Sequence, residues 1–245
     1  MTRPKVDLLI IGGSGLLGSV LIKFFNDAYI TYNSTPIENK NAIRLDISDS
    51  ESLKFLLAKL EPKNIIVTSA LTDVDKCEKF PEFAYRINRD PFVILTNYLR
   101  NHSGRLIQIS TDYVFSGERG NYKEEDDRMP INVYGKSKME AENIIINSEV
   151  NYSIIRTSGT FGINPSTGKQ NFFTWVYDNL RNGREVKLVQ DQIYSPVLNL
   201  ILAKAIYEIY EGEIPGIIHF SSADSVSRFE FGLLVAEIFK LDKWL

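Results

Sequence analysis

Lys5-Val-Asp-Leu-Leu-Ile-Ile11 runs directly into Gly12-Gly-Ser-Gly15-Leu-Leu-Gly18, and this junction decides the fold. An apolar run that halts at a glycine reads as a buried parallel strand. Beyond it Leu16, Leu17, Val20, Leu21, Phe24 and Phe25 recur at helical spacing and predict an amphipathic helix over 16–26. Strand, glycine turn and helix open a nucleotide-binding unit. Glycines at the first, fourth and seventh positions let the backbone approach a pyrophosphate and lie against the helix N-terminus. A tight turn without a ligand is the plainer alternative, but its place at the head of repeated βα units favours a dinucleotide. Gly12, Ser14, Gly15, Leu16, Leu17 and Gly18 are therefore candidate cofactor residues.

The alternation continues along the chain. Strands are predicted near 28–32, 42–45, 64–67, 105–110 and 152–156, with helices near 49–60, 82–101 and 135–147. This is the pattern of an α/β fold, a doubly wound parallel sheet of the Rossmann type. After residue 157 the rhythm loosens into the Gly159–Gly168 stretch. A helix near 170–181, a strand near 186–189, a helix near 197–210, a strand over 216–220 and a helix near 227–240 follow. We read 1–157 as the dinucleotide-binding domain and 158–245 as a small C-terminal substrate-binding part, with segments near 186–210 returning to the Rossmann core.

Composition narrows the partners. The chain has 245 residues, 44% hydrophobic and 24% charged, as expected of a globular protein with a full core. Its net charge of -3 offers no basic surplus for a phosphate backbone, so nucleic acid is not an expected partner. The lone Cys77 forms no internal disulfide or thiolate cluster, which fits a reducing cytoplasm. The opening apolar segment is too brief for a signal peptide, and no apolar run nears the roughly 20 residues that cross a bilayer. Two histidines, His102 and His219, give no basis for a multi-histidine metal centre, and no metal is expected.

At the tip of the second strand, where an NAD enzyme of this fold carries an acidic residue, stands Tyr32-Asn33-Ser34-Thr35. With no carboxylate to repel a 2′-phosphate, and with Asn33 and Ser34 able to donate to one, the tip favours NADP while leaving NAD open. Asp46, followed by Ile47, is placed to meet the adenine amino group. Capping the helix over 49–60 is a competing role for Asp46, which Ser48 or Asp49 could fill instead.

Tyr134-Gly-Lys-Ser-Lys138 opens a predicted helix, so its tyrosine and second lysine share a face. A neighbouring ammonium favours the phenolate of a tyrosine and brings its proton transfer within range. Such a pair is common on helix surfaces. Here it follows Ser110-Thr111-Asp112 at the end of a central strand, where ligands sit in open α/β sheets.

The glycine turn, the strand-end hydroxyl and the Tyr-x-x-x-Lys helix start resemble the extended short-chain dehydrogenase/reductase superfamily. Within it, Ser110-Thr-Asp-Tyr-Val-Phe-Ser-Gly117, Asn132-Val-Tyr-Gly-Lys-Ser-Lys138, Leu71-Thr-Asp-Val-Asp75 with Glu78, and Asp191-Gln192 before Ser195-Pro196 look like the dTDP-4-dehydrorhamnose reductase family. The resemblance implies hydride transfer from a nicotinamide to the C4 ketone of a nucleotide-linked deoxysugar. It implies Tyr134 as the proton donor, Thr111 as the holder of the carbonyl oxygen and Lys138 as a further catalytic group on the nicotinamide ribose. Ala70, Leu71 and Thr72 would pass along the cofactor, Asn88 would lie behind the nicotinamide, and Asp112 and Val114 would face the sugar. A homodimer is compatible with it. Two departures stand out: Gly159 follows Thr157-Ser158 where the family carries an aromatic residue, and Leu71 replaces a tyrosine.

Two other functions share these motifs. One is a nucleotide-sugar epimerase or dehydratase that recycles bound NAD. The other is a non-catalytic NADP-binding subunit like the regulatory subunit of methionine adenosyltransferase. Phe172, Phe173 and Trp175 read as core rather than a base platform. His102 reads as a helix cap, His219 as a core residue, the 123–128 charges as a solvated face and Cys77 as a bystander.

Overall fold

The computed structural model describes residues 5–244. The first half alternates strands and helices: β1 Val6–Ile11, α1 Gly18–Leu21, β2 Tyr29–Tyr32, β3 Ala42–Arg44, α2 Ser50–Leu60 and β4 Pro62–Val67. Three helices follow, α3 Val74–Lys79, α4 Pro81–Asn88 and α5 Asp90–His102. Then come β5 Arg105–Thr111, a 3-10 turn over Asp112–Val114, α6 Val133–Ile146 and β6 Asn151–Thr157. The remainder is α7 Phe172–Arg181, β7 Ile193–Tyr194, α8 Asn199–Glu211, β8 Gly216–His219, β9 Val226–Ser227 and α9 Arg228–Phe239.

Seven strands form one parallel sheet in the order β3-β2-β1-β4-β5-β6-β8. The chain starts at β1, runs out to β3 and returns to β4, so the direction of winding reverses between β1 and β4. That reversal opens a crevice at the carboxyl ends of the strands, the place where this class of sheet takes its ligands. One face carries a core of Leu9, Leu53, Leu57, Ile65, Leu95, Leu106 and Ile154 with α2, α5 and α6, and the other joins Ile10, Ile30, Ile66, Ile107 and Ile155 to α1 and α8. A separate small core unites Val176 of α7, Tyr194 of β7 and Phe231 and Val235 of α9.

Several expectations are revised. The helix near 82–101 is two helices broken at Arg89, whose ψ of -56 comes with a φ of -118, and Pro91 sits in the first turn of α5. A proline there lacks the N–H that would continue the preceding helix, and it starts a new one. The first helix is regular only over Gly18–Leu21, because Lys23 and Phe24 close three-residue rather than four-residue turns. No strand forms over 186–189. Val186 and Leu188 are drawn into the small core, but Val189 offers only its carbonyl, to the Phe229 amide, and no neighbouring strand supplies a ladder. The two-stranded pairing lies instead between β7 and β9, antiparallel. The segment that rejoins the main core is 197–220, carrying α8 and β8. No described helix is long and apolar enough to cross a membrane.

Candidate active site

The glycine turn is shaped by close approach. Gly12 has a φ of +103°, and a Cβ there would stand 2.7 Å from the Ser69 amide nitrogen. A Cβ at Gly18 would come within 2.2 Å of the Gly12 carbonyl oxygen. Glycine alone fits both positions. The Gly15 amide closes onto the Gly12 oxygen at 3.0 Å, and among the described residues the amides of Leu16, Leu17 and Gly18 donate to no main-chain oxygen. A turn with unclaimed donors, at the switch point of the sheet, fits the pyrophosphate of a dinucleotide. Asn164 Nδ2 donates to the Ser14 oxygen at 3.1 Å and Asn199 Nδ2 to the Leu16 oxygen at 3.0 Å, bracing the turn from later in the chain. Neither asparagine was signalled by the sequence pattern.

At the adenosine end, Asn33 and Ser34 are exposed just past β2, with no carboxylate among them. The β2–β3 register sets Tyr32 beside Arg44, so an exposed guanidinium stands one strand from the tip. Only strand pairing reveals this neighbour, since the two are separated in sequence. Asp49 caps α2, accepting from the Glu51 and Ser52 amides. Asp46 is thereby released from that role; it is exposed and accepts from Ser48, while Ile47 is buried.

The chain leaving β4 is held by an asparagine. Asn88 Oδ1 accepts from the Leu71 amide at 2.8 Å, and its Nδ2 donates to the Leu71 oxygen at 3.1 Å and to Ser137 Oγ at 3.0 Å. Leu71 is thus fixed between half-buried Ala70 and exposed Thr72, and it packs in a cluster containing Cys77, Ala84 and Tyr134.

The start of α6 is capped twice. Asn132 Oδ1 accepts from the Gly135 amide at 2.8 Å and Glu78 accepts from the Val133 amide at 2.6 Å. Gly135 lets this turn press onto the 3-10 turn after β5, since a Cβ there would be 2.1 Å from the Tyr113 oxygen. Tyr134, 8% exposed, consequently lies edge-on to the Tyr113 ring at 5.6 Å. Burial pushes its phenol well above the usual tyrosine range; a hydrogen bond with Thr111 works the other way, and Asp112 adds to the rise.

Lys138 is 2% exposed, and its ammonium donates to the Ile109 oxygen at 2.7 Å rather than to the phenol. Burial pulls it down to about 8, against the opposing pull of Glu142. Loss of solvent dominates both groups and favours the neutral phenol. Thr111 Oγ1 donates to Asp112 Oδ1 at 3.0 Å, and Ser158 Oγ donates to Asp112 Oδ2 at 2.5 Å. Burial raises the Asp112 carboxyl despite these donors. Val114 is 0% exposed and so is not a sugar-facing side chain, because the 3-10 turn rotates it into the core.

The missing aromatic at Gly159 has a counterpart. Gly159 has a φ of +49°, and a Cβ on it would lie 2.2 Å from the Tyr194 ring. The ring of Tyr194 thus covers the space that a side chain at 159 would enter. Arg228 stacks on Tyr194 at 4.1 Å and on Phe172 at 4.4 Å, and Gln192 Nε2 donates to the Tyr113 hydroxyl at 3.1 Å. Cys77 is buried, with its thiol pushed up to about 11 by burial and by Asp73 and Glu78, so it is no nucleophile. Among the described residues no group of His, Cys, Asp and Glu is arranged to hold a metal.

The family model described as RmlD substrate binding domain matches residues 6–244. The dTDP-4-dehydrorhamnose reductase of Aggregatibacter actinomycetemcomitans is 32% identical over 93% of this chain and 77% of its own length. A crystal structure described as a hypothetical dTDP-4-dehydrorhamnose reductase from Sulfolobus tokodaii superposes with a TM-score of 0.88 at 38% identity, covering 96% of this chain and 83% of that one. The dTDP-4-dehydrorhamnose reductase from Bacillus anthracis, solved in complex with NADP, gives 0.84 at 28% identity, covering 99% and 84%.

Proposed function

The chain belongs to the RmlD substrate binding domain family, that of the dTDP-4-dehydrorhamnose reductases, and from this we propose an NADP-dependent reductase of a nucleotide-linked 4-ketosugar. The observation that carries the chemistry is the buried phenol of Tyr134 at the start of α6, packed on the turn that follows Thr111 at the carboxyl end of β5. A reduction needs a proton for the developing alkoxide, and a phenol raised by burial is fully protonated at neutral pH, ready to give it. Lys138, near 8, stays mostly cationic at that pH and stabilises the phenolate left behind. Thr111, on releasing its hydrogen bond to Asp112, turns its hydroxyl to the carbonyl oxygen.

The cofactor, when bound, supplies the hydride to C4. The glycine turn over Gly12–Gly18 would take its pyrophosphate, Ala70, Leu71 and Thr72 its middle and Lys138 its nicotinamide ribose. Asn33, Ser34 and Arg44 would take a 2′-phosphate, with Asp46 at the adenine. Asp112 would bind the sugar. We divide the chain at about residue 158, giving the α7, β7, β9 and α9 lobe to the substrate. We place the enzyme in the cytoplasm, where its single buried thiol is at home, and assign it a homodimer, to be checked by sedimentation.

The test is NADPH consumption with dTDP-4-dehydrorhamnose. Tyr134→Phe should lose about 10²–10⁴-fold in kcat and still bind NADPH by fluorescence titration. Full turnover in that variant rejects the assignment. Cofactor retained through purification without net NADPH consumption would favour a recycling epimerase or dehydratase, and an inert protein that co-purifies with a transferase would favour a regulatory subunit.

A further inference from the structure

Glu142 lies one helical turn past Lys138 on α6 and is completely buried. Its carboxylate gathers donors from three other segments. Ser110 Oγ of β5 donates at 2.5 Å, Arg156 of β6 donates through Nη2 at 2.8 Å and Nε at 3.1 Å, and Arg128 of the loop leading to Tyr134 donates through Nη1 at 2.9 Å. Arg128 also reaches Asn143 Oδ1 at 2.7 Å, and Arg156 reaches the Glu124 oxygen at 3.1 Å and His219 Nε2 at 3.2 Å.

Ser110 sits between Ile109, whose oxygen receives the Lys138 ammonium, and Thr111. One carboxylate therefore ties the helix of Tyr134 and Lys138 to the strand of Thr111, to β6 beside it and to the loop that precedes the tyrosine. Two cations surround it, Arg156 buried and Arg128 at the rim, and a network of that kind is costly to bury unless its members stay paired.

We propose that Glu142 is a positioning residue for the reduction: through Ser110 and α6 it sets Lys138 and Tyr134 against Thr111, and its charge, balanced by Arg128 and Arg156, anchors the Lys138 ammonium. This rests on the function proposed above, in which Lys138 serves the reaction. Burial works against the charged lysine and Glu142 works for it. The other titratable groups are Tyr134 on the same helix, and Asp112 and Tyr113 after β5 and Cys77 on α3, which act on Tyr134. Arg156 and Arg128 reach Lys138 through Glu142. From β5 the Ile109 oxygen meets Lys138 and the Ser110 hydroxyl meets Glu142, and neither is a titratable group.

The charges predict shifts of opposite sign. Glu142→Gln removes the anion and should move the Lys138 titration down by about one pH unit or more; Arg128→Gln removes a cation and should move it up. Glu142→Asp should bring it back toward the wild type. The measurement is 13C NMR of the full chain labelled at lysine Cε, with Lys138→Met assigning the signal. The alkaline limb of NADPH-dependent reduction should follow the same direction in each variant.

A merely structural ion pair lowers stability and leaves the titration where it was. An unmoved Lys138 in folded Arg128→Gln, or shifts of the same sign in both variants, overturns the proposal. Should Glu142→Gln fail to fold, Arg128→Gln still decides, since its side chain is 21% exposed and sits at the rim. A wild-type protein that reduces no sugar yet shows the opposed shifts defeats the function proposed above and leaves the Glu142–Lys138 coupling standing.

Discussion

In the seven-stranded sheet Leu9, Ile10, Ile30, Ile65, Ile66, Leu106 and Ile154 are wholly buried between two helical layers. In the small lobe β7 and β9 are two residues each, and Leu234, Ile238 and Phe239 of α9 stand exposed. The sheet is fixed by burial on both faces, which tolerates few alternatives. The lobe has its own core, but its references to the chemistry are polar and few: Asn164 on the Ser14 oxygen, Ser158 on Asp112, Gln192 on Tyr113. Each of these lands on the glycine turn or on the turn after β5. The lobe is thus aligned to the cofactor and proton-transfer groups rather than to the strands.

The sharpest way to break the comparison lies in the sheet half. Gly18→Ala forces a methyl group against the Gly12 oxygen, an overlap with main chain that no rotamer relieves. A loss of about 1–3 kcal/mol and of NADPH binding is expected, read by thermal melting with and without cofactor. An unchanged melt with full NADPH stabilisation would show that the turn is less confined than its geometry states.

A smaller, local effect is expected in the lobe. Gly159→Trp restores the family's aromatic but must adopt a left-handed backbone, at about 1–2 kcal/mol, and displace the Tyr194 ring. Hydrogen exchange should rise in α7, β7 and α9 while the sheet stays protected, and Tyr194→Ala in the same chain should recover part of the loss. Exchange spreading into β1 or β4 would dissolve the distinction between the two regions.

The smallest effect concerns β8, at the edge of the sheet. Burial, opposed by the pull of Glu124, holds the His219 imidazole below its usual range. The unfolded chain therefore binds that proton first as pH falls below about 6.5, so stability is present above that pH and declines beneath it. Protonation would also set a ring N–H against the Arg156 guanidinium. A small acid-side fall in Tm, absent in His219→Gln, is the expected outcome, checked by melts from pH 7 to pH 5.

Much of the sheet was legible because burial writes period and punctuation into the chain: the run to Ile11, the glycines after it and the alternation through β6 needed no neighbour to be read. The break at Arg89 was hidden since helical spacing continues across it. The strand near 186–189 was misread because Val186 and Leu188 alternate for the sake of a core, without a partner strand. Tyr134, Lys138 and Thr111 are proposed from local pattern and from the family resemblance, whereas the rotation that buries Val114 belongs to a turn type the pattern does not reveal. Ser110, Arg128, Glu142 and Arg156 come from four separate segments, and Tyr194 meets Gly159 across the lobe. Such meetings exist only once the chain has folded.

The double grip of Asn88 on Leu71 has a further consequence. The chain leaving β4 is located at Leu71 by its peptide group, which every residue type possesses, so the side chain borne at that point is released from the duty of placing it. Exchanging the side chain at 71 therefore leaves this stretch of backbone held at the same two points.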